Sequence, residues 1–209
     1  ASGDGYVLNG RKLFVPDANS ADYIIVAGRT DDGITLFVVD ARASGVTCNL
    51  LETFSPDKLS EVILDNVSVA NEDILGEINQ GWVTIEKVME KAAIATCALM
   101  VGGMERVLDL TVSYAKDRNA FGHPIGAFQA IQHRCADMLM ALETSRFSTY
   151  QAAWKISQGI PASKEVAIAK YWVNQAYNRV VFSAHQVHGG IGFTEDHVLH
   201  WYTKRARAQ

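Results

Sequence analysis

Four groups of residues in this chain have types and spacings suited to chemistry. Gly189-Gly190-Ile191-Gly192 is a glycine-rich turn. Small residues there would let backbone N–H groups approach a phosphate. The run follows a helical segment rather than a strand, so it is not the dinucleotide fingerprint of a βαβ unit, and spacing alone favours a helix C-cap. The second group is Arg118-Asn119-Ala120-Phe121-Gly122. Arg118 offers a guanidinium fork to a phosphate and Phe121 a face for stacking, whereas the plainer reading makes Arg118 a partner of a helix C-terminus. The third is a pair of histidine pairs, His185/His188 and His197/His200, each three apart. That spacing can chelate a metal on a helix. No further ligand completes either pair, so surface or hydrogen-bonded histidines are expected and no metal site is. The fourth is Glu86, Glu90 and Glu105 on one helical stretch, where carboxylates are usually solvated or paired. Glu90, beside the apolar Met89, is the one candidate for lining a pocket. GxSxG, HExxH and P-loop patterns are absent from the sequence, which removes the hydrolase and NTPase readings.

The elements that position these groups fall into two parts. Residues 1–78 read as strands. Tyr6–Gly10 and Arg11–Val15 are two short apolar runs meeting at Asn9-Gly10, the pattern of a tight hairpin. Tyr23–Ala27, a turn at Asp31-Asp32-Gly33, Thr35–Val39, Val46–Leu51 and Val62–Val69 continue the strand pattern, with no helical period between them. Residues 79–209 read as helices: one from about Gln80 to Lys116, a turn at Gly122–Gly126, a second from about Phe128 to Ser157, and a third from about Ser163 to Gly189. The expected apolar stripes carry Trp82, Ile85 and Met89 on the first, Ile131, Cys135, Met138, Leu142 and Phe147 on the second, and Val166, Ala169, Val173, Val180 and Ala184 on the third. Gly102-Gly103 inside the first helix would permit close approach of a neighbour. Thr194 is the expected N-cap of a fourth, with Glu195 and Asp196 in its first turn and Lys204, Arg205 and Arg207 at its end. The expected fold is α+β: a small antiparallel β-sandwich or barrel over residues 1–78, then a four-helix up-down bundle over residues 79–209.

Composition bounds the function. The chain has 209 residues, 48% hydrophobic and 20% charged, which suits an ordinary globular fold. The net charge of −4 is too mild to announce nucleic acid. It hides an asymmetry: residues 1–78 hold 5 Lys/Arg against 13 Asp/Glu, and residues 79–209 hold 14 against 10. An anionic ligand belongs on the second part. Three widely spaced cysteines suggest a reducing compartment, and the cytoplasm is the expected location. The longest apolar runs, such as Ile94–Val101, are too short to span a bilayer.

Several motifs occur together and in order: Arg118-x-x-Phe121-Gly122, Pro124-Ile125-Gly126, Phe128-Gln129, Ala136-Asp137-Met138, and Gln186-Val-His-Gly189-Gly190-Ile-Gly192-Phe193-Thr194 before a basic helix. Upstream stand Asp4-Gly-Tyr-x-Leu-Asn-Gly10-x-Lys12 and a β-rich acidic stretch ending at Leu75-Gly76. In these features the chain resembles the acyl-CoA dehydrogenase family along essentially its whole length. The resemblance implies a middle sheet domain and a C-terminal helical bundle, with the family's N-terminal helical domain and a segment beyond Gln209 not represented. It implies FAD as cofactor, an acyl-CoA substrate of fatty acid metabolism and β-oxidation, a homo- or hetero-tetramer, and a flavoprotein as electron acceptor. By the same resemblance Arg118 meets the FAD pyrophosphate of a neighbouring subunit, Phe121, Phe128 and Gln129 line its adenosine side, and Gln186, Gly189 and Gly190 contact the same cofactor.

The departures from the family pattern are specific. Where the flavin-edge segment usually reads Trp-Ile-Thr, this chain reads Phe14-Val15-Pro16, and proline supplies neither an N–H nor a hydroxyl. Two working positions on the long helix, a Glu and an Arg in some members, fall on Ala92 and Ala93. The more usual catalytic carboxylate lies beyond the basic stretch Lys204–Arg207. No catalytic residue is therefore identifiable in the sequence. Met89 and Glu90 fall where the resemblance places the substrate's pantetheine arm. Two functions follow as expectations: part of an FAD-dependent acyl-CoA dehydrogenase that is inactive alone, or a non-catalytic or half-site subunit of a heteromeric one. A third is the same fold with oxidase chemistry.

Overall fold

The structure is a computed structural model that describes residues 5–30, 32–54 and 57–208. Asp4, Asp31, Pro56 and Gln209 lie outside the described residues. The chain divides into two compact units, Ala1–Val88 and Met89–Gln209, each described by itself.

The first unit is a sandwich of two antiparallel sheets. Strands β1 (Gly5–Pro16), β5 (Leu59–Ala70) and β4 (Val46–Leu50) form one sheet in the order β1-β5-β4. Strands β2 (Tyr23–Arg29), β3 (Ile34–Asp40) and β6 (Ile74–Leu75) form the other in the order β2-β3-β6. Leu8, Val62, Leu64, Val67 and Val69 from the first sheet meet Val26, Phe37 and Val39 from the second in one buried cluster.

β1 corrects the expected hairpin at Asn9-Gly10. It runs straight through that dipeptide and pairs with β5 along its whole length. Leu8 pairs with Val67 and Gly10 with Leu64, so Asp65 and Asn66 together oppose the single Asn9. The Asn66 N–H donates to Asn9 Oδ1 at 2.8 Å, and Asn66 takes the left-handed conformation, φ 52°, that asparagine tolerates. The dipeptide therefore faces a β-bulge, and the partner that makes it so is 57 residues away. A second shift separates Lys12 from Val15: these residues pair with Val62 and Ser60, so Leu13 and Phe14 oppose the single Glu61.

The second unit is built on four helices: α1 (Gly81–Asp117), which begins in the first unit, α2 (Gln129–Ser157), α3 (Ser163–His188) and α4 (Leu199–Ala208). Their directions alternate. Glu105 of α1 pairs with Arg146 of α2, and Lys155 late in α2 pairs with Glu165 early in α3. Asn178 of α3 reaches Ala206 of α4 while His185 reaches Thr203. The core runs from Ile94 through Met100, Met104 and Val107 on α1, with Met138 and Leu142 of α2 and Val173, Tyr177 and Val180 of α3. Gly103 lets Tyr177 approach: a Cβ there would lie 2.5 Å from the Tyr177 oxygen.

Three details of the expected helices change. Trp82 and Met89 are exposed, because the bundle core begins only at Ile94. Phe147 is exposed too. The buried face of α2 beside it is Ser145 and Thr149, whose hydroxyls bond back to Ala141 O and Ser145 O and so bury without loss. Thr194 is not the cap of α4. Gly189–Phe193 form a 3₁₀ turn, and the Thr194 hydroxyl bonds back to Ile191 O at 2.8 Å. The helix begins five residues later, where Leu199 N–H donates to His197 Nδ1 at 3.3 Å. Among the described residues no helix is long and apolar enough to cross a membrane.

Candidate functional site

One end of the bundle gathers most of the residues singled out from the sequence. The C-terminal turn of α1, the start of α2 and the end of α3 meet there. Tyr114 of α1 lies ring to ring with His188 of α3, centroids 4.5 Å apart.

Between α1 and α2 the chain makes a minimal hairpin. Strands β7 (Asn119–Ala120) and β8 (His123–Pro124) pair, and the loop is Phe121-Gly122. The turn thus sits one residue earlier than the expected Gly122–Gly126. Both loop residues have positive φ, 55° and 88°, as a two-residue hairpin turn demands. Glycine accommodates this freely, but a left-handed conformation costs a bulky residue about 1–2 kcal/mol. The result is an aromatic ring held 93% exposed. Phe128 braces it edge-on at 6.1 Å and is itself half-buried, with the His123 ring 4.6 Å from its own.

The hairpin presents unpaired donors. Arg118 is exposed, and among the described residues its guanidinium has no ion-pair or hydrogen-bond partner. Gln129 is exposed in the first turn of α2, a helix with no side-chain N-cap; the N–H groups of Ile131 and Gln132 bond to Phe128 O, and those of Gln129 and Ala130 remain open among the described residues. A guanidinium fork, an open helix N-terminus and a bare aromatic face fit a diphosphate joined to a flat heterocycle.

The glycine turn stands on the same end. α3 ends at Gly189, φ 63°, and a Cβ on Gly189 or Gly190 would meet nothing within 4 Å. Their backbone is open to a ligand, and Gln186 before them is exposed. Beneath the turn lie two buried histidines, where the sequence led to the expectation of surface or hydrogen-bonded ones. His185 Nε2 bonds Thr203 Oγ1 at 2.6 Å and its ring stacks on Phe193 at 4.5 Å. His188 Nδ1 donates to Ala184 O at 2.8 Å, and its ring lies 4.8 Å from that of His197. Burial holds both pKa values below the ordinary 6.5, and neighbouring histidines push the same way. The sequence carried a signal for them: the buried face of α3 steps through Tyr177, Val181 and Ala184 to His185 and His188 at helical spacing. Among the described residues no group of three or more His, Cys, Asp or Glu is placed to hold a metal ion.

The flavin-edge segment lies in the first unit. Phe14 is the bulged residue of β1, with φ 57° and 64% exposure. Val15 pairs with Ser60 and Pro16 with Leu59, at the end of an edge strand where a missing N–H is tolerated. Phe14 and Phe121 are the two aromatic residues with left-handed backbone in the described chain. Both fall at positions the sequence resemblance gives to the cofactor. Strain of this kind persists where it aims a side chain outward.

The substrate candidates differ from one another. Met89 is exposed, whereas Glu90 accepts a hydrogen bond from the Ser163 hydroxyl and ties α1 to the start of α3. Ala92 is exposed and Ala93 half-buried.

Comparison with known proteins identifies the family and the fold. A family model for the acyl-CoA dehydrogenase C-terminal domain matches residues 79–209, and one for the middle domain matches residues 1–67. A 3-(aryl)acrylate reductase from Clostridium sporogenes is 39% identical over 209 residues, covering 94% of this chain and 54% of that protein. The solved structure of butyryl-CoA dehydrogenase from Megasphaera elsdenii superposes with a TM-score of 0.95 at 31% identity, over 99% of this chain and 56% of that one. PigA, solved with FAD and proline, superposes with a TM-score of 0.95 at 28% identity, over 99% of this chain and 56% of that one. The chain thus spans about half the length of the relatives it matches.

Proposed function

The chain belongs to the acyl-CoA dehydrogenase family, and on that premise we propose that it is the sheet domain and helical bundle of an FAD-dependent enzyme that dehydrogenates an acyl-CoA thioester between Cα and Cβ. Bound FAD would supply the two-electron oxidation, with the α hydrogen leaving as a proton and the β hydrogen as a hydride. The chain's own part is to bind and orient. Arg118 and the open start of α2 hold the diphosphate of a cofactor seated mainly in a neighbouring subunit. Phe121, Phe128 and Gln129 hold its adenosine side, and Gln186, Gly189 and Gly190 close over it. Phe14 packs on the flavin edge, while Pro16 withholds the hydrogen bonds that a threonine would give. Met89 and Glu90 border the path of the thioester arm. No residue of the chain is assigned as catalytic base, so the chain alone binds the cofactor without turning over. The assembly is a tetramer, homomeric or heteromeric, that passes its electrons to a flavoprotein.

The observation that carries this reading is the exposed, unpartnered Arg118 beside the strained Phe121 ring. Incubating the full chain with FAD, removing free cofactor and recording the visible spectrum tests it. The expected result is retained flavin absorbance that does not bleach when an acyl-CoA is added. A chain that stays colourless contradicts it.

A second reading rests on Pro16, Ala92 and Ala93, each a loss at a working position of the family. In that reading the chain is the half-site subunit of a heteromer. Colour acquired only in the presence of a second polypeptide would support it over the first. The acrylate reductase similarity bears on direction: the same bond chemistry run backwards saturates a conjugated acid, so an aryl-acrylate belongs among the substrates tried.

A further inference from the structure

The glycine turn is a five-residue 3₁₀ segment that opens on an exposed glycine pair and rests on what lies beneath it. Gly192 is buried, and a Cβ there would stand 3.0 Å from His188 Cβ and 3.2 Å from His185 Nδ1. Phe193 is stacked on His185. His188 stacks on Tyr114 of α1, whose hydroxyl reaches His188 O at 3.4 Å. Tyr114 is four residues before Arg118, and its carbonyl accepts the Arg118 N–H at 2.8 Å. The turn and the Arg118 hairpin are therefore joined through two imidazoles and one phenol.

Proton positions on these rings follow from their partners. Thr203 Oγ1 donates to Leu199 O at 3.1 Å, so it accepts from His185, and the proton of that ring sits on Nε2. His185 Nδ1 is then a bare lone pair. It is buried against the Gly192 backbone. A second proton would have to enter at Nδ1, where the Gly192 backbone favours it but burial opposes it more strongly. His188 uses Nδ1 on Ala184 O, so its second proton would enter at Nε2, with the His197 ring close by. The titratable groups facing these two rings are each other, Tyr114 of α1 and His197 of the segment before α4. The contact from α4 itself is the neutral Thr203.

We propose that His185, His188 and Tyr114 are positioning residues, a neutral aromatic floor that fixes the glycine turn relative to the Arg118 hairpin and releases it on protonation. The proposal deepens the cofactor reading and rests on it for its consequence, that the grip on FAD is pH-dependent. The sign follows from linkage. Both folded-state pKa values lie below 6.5, so the floor is intact above that value and is lost as pH falls through the folded values. A histidine acting directly on the phosphates would give the opposite trend, with tighter binding in acid.

The test is amide hydrogen exchange at Gly189–Phe193 in the full chain without cofactor, corrected for intrinsic rates, between pH 7.5 and pH 5. The floor predicts that opening of this segment rises by about 10-fold as pH falls. His185→Gln keeps a donor for Thr203 and does not titrate, and it should flatten most of that rise. His188→Phe keeps the stacked ring and should flatten the remainder. Exchange independent of pH, or equally steep in both variants, overturns the proposal. FAD binding over the same range separates the two claims. Affinity that falls in acid in the unaltered chain and not in His185→Gln supports both. Affinity that rises in acid overturns the floor as the source of control. Absence of binding at every pH, with the exchange behaviour intact, overturns the cofactor reading and leaves the floor standing.

Discussion

The two loops at this end of the bundle solve opposite problems. The Arg118–Pro124 hairpin reaches outward: its arginine is unpartnered, its phenylalanine almost wholly exposed, and its backbone strained to keep it so. The Gly189–Phe193 turn is held from below, its outer backbone bare and its inner side packed on buried histidines. Residues that reach outward have few native contacts to lose, so changing them should alter binding and spare the fold. Residues that are held from below should couple binding to stability.

The largest effect belongs to the hairpin. Arg118→Ala should lower FAD affinity by about 10- to 100-fold, the worth of a charge-assisted pair of hydrogen bonds, with no change in melting temperature. A lowered melting temperature would show that Arg118 is part of the fold. On the turn, Gly192→Ala should destabilise the bundle by about 1–2 kcal/mol, because the added methyl must displace His188 and His185. Denaturant titration checks this, and an unchanged midpoint would mean that the turn gives way freely. The bundle should also lose stability as pH falls below about 6.5, since the unfolded chain takes up protons that buried His185 and His188 refuse. His185→Gln should reduce that loss. The smallest and most discriminating case is Phe121→Gly. Relief of the left-handed strain should stabilise the hairpin by up to about 1 kcal/mol, while loss of the stacking face weakens FAD binding several-fold. A variant in which both quantities move the same way breaks the comparison.

The sandwich and the bundle were legible in the sequence to different depths. The bounds of α1, α2 and α3 sit within a residue or two of what Lys116, Ser157, Pro161 and Gly189 signalled, because helix ends are written in local chemistry. Strand pairing is not local. Asn9-Gly10 has every mark of a turn, and only Asn66, far along the chain, makes it a bulge partner. Thr194 has every mark of a cap, yet its hydroxyl closes the 3₁₀ turn behind it instead. For the candidate site, Arg118, Phe121 and the glycines stand out by motif. The strain at Phe14 and Phe121 was not, since backbone conformation leaves no trace in residue type when an aromatic stands where glycine would be easier. The histidine floor was legible in part: helical spacing put His185 and His188 on the buried face of α3, but nothing local pointed to Tyr114 as the link to the hairpin.

In our proposal these two loops together grip one end of FAD. The most direct test is the hydrogen-exchange footprint of FAD on the full chain at neutral pH. We predict added protection at residues 119–123, at the first turn of α2 and at residues 189–193, with the rest of the bundle and the sandwich core unchanged. Protection confined to other segments, or none at saturating FAD, would contradict it.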